Sequence, residues 1–251
     1  MTRMSPDFWA KPFAHRGLHS KGIAENSLGA IEAAVDAGYA IEIDVQPSSE
    51  GEAMVFHDYQ LDRLTAETGR IDARTTDDLR SIELSGGGGT IPTLAEALEL
   101  IGGRVPLLIE IKDQSESFVR TDGALEGRVC ELVEKAGQVD TCAIMSFNPF
   151  SAAHVRDFLP EIAGGVVSYD YQHEHDAGVP AAYRADLATL RWFEESGADF
   201  VSYGATSLPT PRTDDLREAG VPVFCWTIRS PEQAEQALKH CDQITFEGYL
   251  P

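Results

Sequence analysis

Glu42 and Asp44, in Ile41-Glu42-Ile43-Asp44-Val45, are two residues apart and so share one face of an extended strand, since side chains along a strand alternate. Ile109-Glu110-Ile111-Lys112 repeats the spacing, with a carboxylate and an ammonium on one face. The interleaved Ile and Val residues point the other way, toward an apolar layer. Burying Glu42, Asp44 and Glu110 without a partner costs several kcal/mol each, so something cationic is expected among them. Three oxygen donors and no cysteine suit a hard divalent ion, Mg²⁺ or Ca²⁺. Pairing with Arg16 and Lys112 in a satisfied polar layer would answer the same requirement.

His15 and His57 are the natural proton carriers, because an imidazole with an ordinary pKa of about 6.5 both accepts and donates near neutrality. Each stands beside a charged residue, in His15-Arg16 and His57-Asp58. Arg16 offers a planar fork for two phosphate oxygens and Lys112 a point charge for a third. A lysine ending an inner strand could instead form a Schiff base with a carbonyl substrate, a reading that leaves both histidines without a purpose.

The elements that must position these groups are short β-branched, aromatic or apolar runs alternating with helical periods. Strands are predicted at Pro12 to His15, Tyr39 to Gln46, Leu107 to Lys112, Thr141 to Phe147, Gly164 to Tyr169, Asp199 to Tyr203, Pro222 to Ile228 and Gln243 to Phe246, with a ninth short run at Ala53 to His57. Leu28, Ile31 and Val35, and Leu125, Val129, Leu132 and Val133, form helical stripes between them. Pro149, Pro209 and Pro231 stand where helices would begin, and Gly38, Gly137, Gly197 and Gly220 where helices would end. Eight strands in this alternation predict an α/β fold, a (β/α)₈ barrel, with the polar residues gathered at the carboxyl ends of its strands. The interval 59–104 is too long for a simple connection and reads as a cap inserted after the second strand of a single domain spanning 1–251. Its run Gly86 to Gly89 lacks a following Gly-Lys-Ser/Thr and reads as a flexible turn, not a phosphate loop.

Forty-one Asp and Glu against twenty Lys and Arg give a formal charge of −21 over 251 residues, which argues against nucleic acid or an anionic membrane surface as a partner. No stretch approaches the ~18 consecutive apolar residues of a membrane span, so neither an export nor a membrane segment is expected. Cys130, Cys142, Cys225 and Cys241 are widely spaced and read as reduced core thiols of a cytoplasmic protein.

The strings AHRG, Glu-Asn-Ser, IEIDV, VFHD, LDRLT, IPTLAEAL, LIEIK, SFNP, GADFV and GVPVFCWTI, in that order across nearly the whole chain, resemble the glycerophosphodiester phosphodiesterase family. The resemblance implies a (β/α)₈ barrel with a small cap, acting on a small-molecule phosphodiester such as glycerophosphocholine or glycerophosphoethanolamine to release glycerol 3-phosphate and an alcohol. It makes Glu42, Asp44 and Glu110 ligands of one divalent metal ion, His15 and His57 the general acid and base, and Arg16 and Lys112 phosphate contacts. It further implies that Asn26 donates to a substrate oxygen, that Glu25 orients Arg16, and that Trp226 lines the pocket, with Phe147 a second candidate for that wall. A lysophospholipase D-like hydrolase and a catalytically silent phosphodiester-binding barrel are the alternatives.

Two departures stand out. Ala24 replaces the family's usual proline before Glu-Asn, and Thr245-Phe246-Glu247-Gly248 stands where Thr-Asp-x-Pro is common, so the eighth-strand side of the pocket is expected to differ. His173-Glu174-His175-Asp176 reads as a solvated loop near the mouth, His19 as a loop-surface residue, and His154 and His240 as exposed helix positions.

Overall fold

The computed structural model describes residues 3–251, apart from the side chain of His175. Eight parallel strands close into a barrel: β1 (Phe13–Ala14), β2 (Ala40–Pro47), β4 (Leu107–Ile111), β5 (Cys142–Ser146), β6 (Ala163–Ser168), β7 (Phe200–Gly204), β8 (Val223–Ile228) and β9 (Gln243–Phe246). Their order around the sheet follows the chain, and β1 pairs with both β9 and β2, which closes the ring. The ninth short run is β3 (Ala53–Val55), which pairs antiparallel with the far end of β2 outside the barrel.

Strand alternation divides the core in two. Ile41, Ile43, Val45, Leu107, Ile109 and Ile111 point outward and pack against the helices in the larger apolar cluster. Ala40 and Leu108 point inward with Phe13, Ala143, Met145, Phe200 and Phe224, and Phe8 and Met4 from the N-terminal segment join this inner cluster. Each fully buried Phe, Leu or Ile is worth about 1.5–3 kcal/mol of apolar burial. The next inward positions on β2 and β4, going toward the carboxyl ends, are Glu42, Asp44 and Glu110, so the same alternation that fills the barrel floor carries the carboxylates to its mouth.

The helices are α1 (Leu28–Ala37), α2 (Thr76–Ser81), α3 (Leu94–Ile101), α4 (Ala124–Ala136), α5 (Pro149–Phe158), α6 (Ala181–Ala188), α7 (Phe193–Ser196), α8 (Pro211–Glu218) and α9 (Pro231–Ala237). Pro149 and Pro231 open helices as expected, but Pro209 does not: α8 starts at Pro211, because Thr210 supplies the capping hydroxyl to Thr213 N. Gly38, Gly137 and Gly197 end their helices in the left-handed conformation, whereas Gly220 lies one residue beyond the C-cap Ala219.

Within the interval 59–104, α3 packs Leu94, Ala97, Leu98 and Ile101 into the barrel's outer core, with its N-terminus fixed by a Thr93–Glu96 capping box. The earlier part builds its own small cluster from Leu61, Ile71, Leu79, Ile82, Leu84 and Ile91 over Met54 and Phe56. The glycine run is a turn, as expected, but a tightly packed one. Ala24 N donates to Gly87 O at 2.9 Å, and a Cβ on Gly88 would lie 2.5 Å from Ser27 Oγ. Ala24 therefore supplies an N–H that proline lacks, and the cap's turn uses it. All four cysteines are free and buried, and burial pushes the Cys130 and Cys142 thiols up to about 12. Among the described residues no helix is long and apolar enough to cross a membrane.

Candidate active site

The mouth of the barrel holds a cavity of about 790 Å³ lined by His15, Arg16, Glu42, Asp44, His57, Glu110, Lys112 and Trp226, among others. Nine of the eleven candidate site residues named from the sequence, Phe147 included, thus converge on one space. Asn26 and Glu25 do not line it and stand behind it. Asn26 is 1% exposed, its Nδ2 donates to Asp44 Oδ2 at 2.8 Å, and its Oδ1 accepts from Asp44 N at 3.2 Å, so its amide positions Asp44. Glu25 accepts from Arg16 NH1 at 2.6 Å, the orienting contact the resemblance implied.

The segment after β1 needs an unusual backbone to bring these groups together. Arg16 and Asn26 both adopt φ of 57°, and Asn26 N donates to Arg16 O at 2.8 Å. Left-handed geometry is tolerated by asparagine but costs an arginine about 1 kcal/mol or more. Gly17 follows at φ 77°, and a Cβ there would meet the Ala30 backbone at 2.8 Å, which explains the glycine of the AHRG string. The turn also aims Arg16 N at Glu42 Oε2, 3.0 Å away.

The three carboxylates offer ligand oxygens all within 4.8 Å of one another, and among the described residues this is the one His/Cys/Asp/Glu group that does so. Asp44 and Glu110 stand in direct register on neighbouring strands, an arrangement of like charges that needs a cation. Lys112 supplies part of it, with Nζ 2.6 Å from Asp44 Oδ1 and bonded also to Glu110 Oε1, and Arg16 Nε lies 3.3 Å from Asp44 Oδ2. Three carboxylates still face only two cations. The imbalance falls on Glu42, whose carboxyl is raised well above the usual range by burial and then by the charges of Asp44 and Glu110. Burial also works against ionised Asp44, but Lys112, His57, Arg16 and His15 hold it well below its ordinary value. An all-oxygen trio with unneutralised negative charge fits a hard divalent ion.

Both histidines have one ring nitrogen tied to a carboxylate. His57 Nδ1 lies 2.6 Å from Asp58 Oδ1, and Arg63 of the cap donates to Asp58 and to Glu25, which in turn accepts from Arg16. His15 Nδ1 lies 2.5 Å from Glu247 Oε2, and its Nε2 is 4.0 Å from Glu42 Oε2. Burial lowers the His15 pKa, opposed by its hydrogen bond to Glu247. Arg63 and Glu247 received no role from the sequence. Glu247 could have been found by the rule that located the others, since it follows the last barrel strand directly at its carboxyl end.

The opposite wall is aromatic. Phe147, Tyr169 and Trp226 meet edge to face, with centroids 5.4 to 6.0 Å apart and planes 79° to 87° apart. Phe147 and Trp226 both reach the cavity, so the weaker aromatic candidate belongs to the wall as well. Ser146 Oγ donates to Ile111 O and Asn148 caps α5, which accounts for the SFNP string as a strand-to-helix joint. His173 lies at the mouth with its ring 5.8 Å from Tyr169, and Asp176 accepts from His173 N, so this loop is ordered around Asp176; the His175 side chain lies outside the described residues.

Residues 15–243 match the model of the glycerophosphoryl diester phosphodiesterase family. A glycerophosphodiester phosphodiesterase of Caldanaerobacter subterraneus is 27% identical over 234 residues, covering 90% of this chain and 88% of the relative. Another from Bacillus altitudinis is 34% identical over 173 residues, 66% of this chain and 69% of the relative. Among solved structures, an Oleispira antarctica phosphodiesterase in complex with the product sn-glycerol-3-phosphate superposes with a TM-score of 0.79 at 25% identity, covering 96% of this chain and 94% of that one.

Proposed function

The chain is a phosphoric diester hydrolase of the glycerophosphoryl diester phosphodiesterase family, and we propose that it cleaves soluble glycerophosphodiesters such as glycerophosphocholine or glycerophosphoethanolamine to glycerol 3-phosphate and an alcohol, using Glu42, Asp44 and Glu110 as metal ligands and His15 and His57 as acid and base. The observation that carries this reading is the carboxylate trio with two carboxylate-tied histidines around one cavity. Bound on the trio, a divalent ion, Mg²⁺ or Ca²⁺, supplies Lewis-acid neutralisation of the phosphodiester.

This chain's own residues do the rest. Arg16, its Nε beside Asp44 and its guanidinium lining the cavity, and Lys112, with its ammonium, bring positive charge to the remaining phosphate oxygens. Glu25 keeps Arg16 extended toward them, and Asn26 keeps Asp44 in place. One histidine takes the proton of the nucleophile, water or the glycerol 2-hydroxyl, and the other delivers a proton to the departing alkoxide, which leaves poorly without it. Trp226 and Phe147 provide apolar surface for the carbon skeleton. Schiff-base chemistry at Lys112 is disfavoured: burial opposes its charge, but Asp44 and Glu110 overcome that and hold the amine protonated, the non-nucleophilic state. The four free thiols support a reducing, cytoplasmic setting.

The test is a panel of glycerophosphocholine, glycerophosphoethanolamine and lysophosphatidylcholine with the phosphorus product identified in each case. Glycerol 3-phosphate from the first two supports the reading. Lysophosphatidate from the third alone would favour a lysophospholipase D activity, and binding without turnover across the panel would favour a silent binding barrel.

A further inference from the structure

Glu247 lies one residue past β9, and its backbone N donates to Ile228 O at 3.0 Å, so β8 and β9 together fix where its side chain starts. Strand alternation sends Phe246 outward, where its ring meets Tyr39 at 4.9 Å and Tyr249 at 5.8 Å, and returns Thr245 to the cavity and Glu247 to the barrel mouth. Within the segment that departs from Thr-Asp-x-Pro, Glu247 thus sets a carboxylate against His15. Glu247 Oε2 is 2.5 Å from His15 Nδ1 and 3.9 Å from His19 Nε2, while Oε1 is 2.6 Å from NH2 of Arg229, the first residue after β8. His15 is held at its backbone too, donating to Phe246 O at 2.9 Å.

We infer that Glu247 is a positioning residue for His15: by accepting the Nδ1 hydrogen it fixes the neutral ring in the tautomer whose lone pair is on Nε2, the nitrogen 4.0 Å from Glu42. An ionised carboxylate only accepts, so Nδ1 must carry the hydrogen in this contact. Without it an imidazole divides between two tautomers and rotates about its side-chain bonds, and only part of the population presents Nε2 usefully. The hydrogen bond from His15, with the nearby His19 ring and the charge of Arg229, keeps Glu247 below the ordinary carboxylate range and therefore in the accepting form. Arg229, which also lines the cavity, is engaged on Glu247. The inference rests on His15 being one of the two proton carriers.

The experiment compares Glu247→Ala, Glu247→Gln, His15→Ala and Glu247→Ala/His15→Ala in single-turnover hydrolysis of glycerophosphocholine with Mg²⁺, and records histidine ¹⁵N spectra of wild type and the Glu247 variants. Glu247→Ala should lower kcat by about 10- to 100-fold, the scale for a carboxylate that orients an imidazole, with KM within about threefold. In the His15→Ala background the same change should cost less than about twofold, because the two residues act as a unit. The His15 Nδ1–H signature should be present in wild type and lost in Glu247→Ala. Glu247→Gln, nearly isosteric and still able to accept through its amide oxygen, should fall between and carries the test if the alanine variant does not fold. Equal losses in both backgrounds, unchanged kcat, or an undisturbed tautomer would overturn the inference. Full activity in His15→Ala would instead refute the acid–base reading, while the spectra still report on Glu247.

Discussion

Lys112 Nζ lies 2.6 Å from Asp44 Oδ1 and bonds Glu110 as well, so one ammonium bridges the two strands whose carboxylates stand in register. The contact neutralises the site and also competes with a metal for the same oxygens. Lys112→Met should therefore lower turnover by about 10²-fold or more, as for removal of a preorganised charge donor. It should leave the stabilisation of the protein by Ca²⁺ intact or larger. Loss of both turnover and metal-dependent stabilisation would mean that Lys112 holds the trio together and does not compete.

A trio with uncompensated negative charge should gain from a divalent ion whether or not substrate is present. Saturating Mg²⁺ or Ca²⁺, at about 100 times Kd, should add about 2.7 kcal/mol of stability, read as a rise in Tm. Asp44→Asn should abolish that rise. An equal rise in Asp44→Asn would place the ion elsewhere.

His15→Ala and His57→Ala should each reduce kcat by at least about 10²-fold while keeping the metal-dependent rise in Tm. Neither ring is a member of the carboxylate trio. Wild-type turnover in both variants would contradict the acid–base assignment.

Arg63 ties Asp58 to Glu25, and both carboxyls sit below their ordinary values: burial opposes their charge, but hydrogen bonds to His57 and Arg63 at Asp58, and to Arg63 with the Arg16 charge at Glu25, prevail. A depressed carboxyl stabilises the fold above its unfolded pKa of about 4, and that contribution is lost as pH falls toward the folded value. Arg63→Ala should therefore cost about 1 kcal/mol at pH 7, given that Arg63 is half exposed. The gap in Tm from wild type should narrow between pH 5 and pH 3 (roughly the range over which such carboxyls are protonated when unfolded). A constant or widening gap would refute the network's role.

The barrel and most of the site were legible because they follow from alternation. Ile-Glu-Ile-Asp and Ile-Glu-Ile-Lys state in a few residues which side chains face the floor and which the helices, and the structure keeps that division. Contacts made by barrel closure were not legible: His15 and Glu247 are 232 residues apart and meet because β1 pairs with β9. Arg63 comes from the cap, whose docking depends on the turn at Gly87 and the N–H of Ala24. The contact of Asn26 with Asp44 was not legible either, since it depends on a left-handed backbone at Asn26 that brings the amide onto the neighbouring strand's carboxylate.

The most direct measurement is ³¹P NMR of glycerophosphocholine with the purified protein, first after exhaustive chelation and then after adding back Mg²⁺ or Ca²⁺. The diester signal should stay unchanged in the chelated sample and glycerol 3-phosphate should grow on metal addition, with no such growth for Asp44→Asn. Glycerol 3-phosphate forming at the same rate in the chelated sample, or no product after metal addition, would contradict metal-dependent hydrolysis at this site.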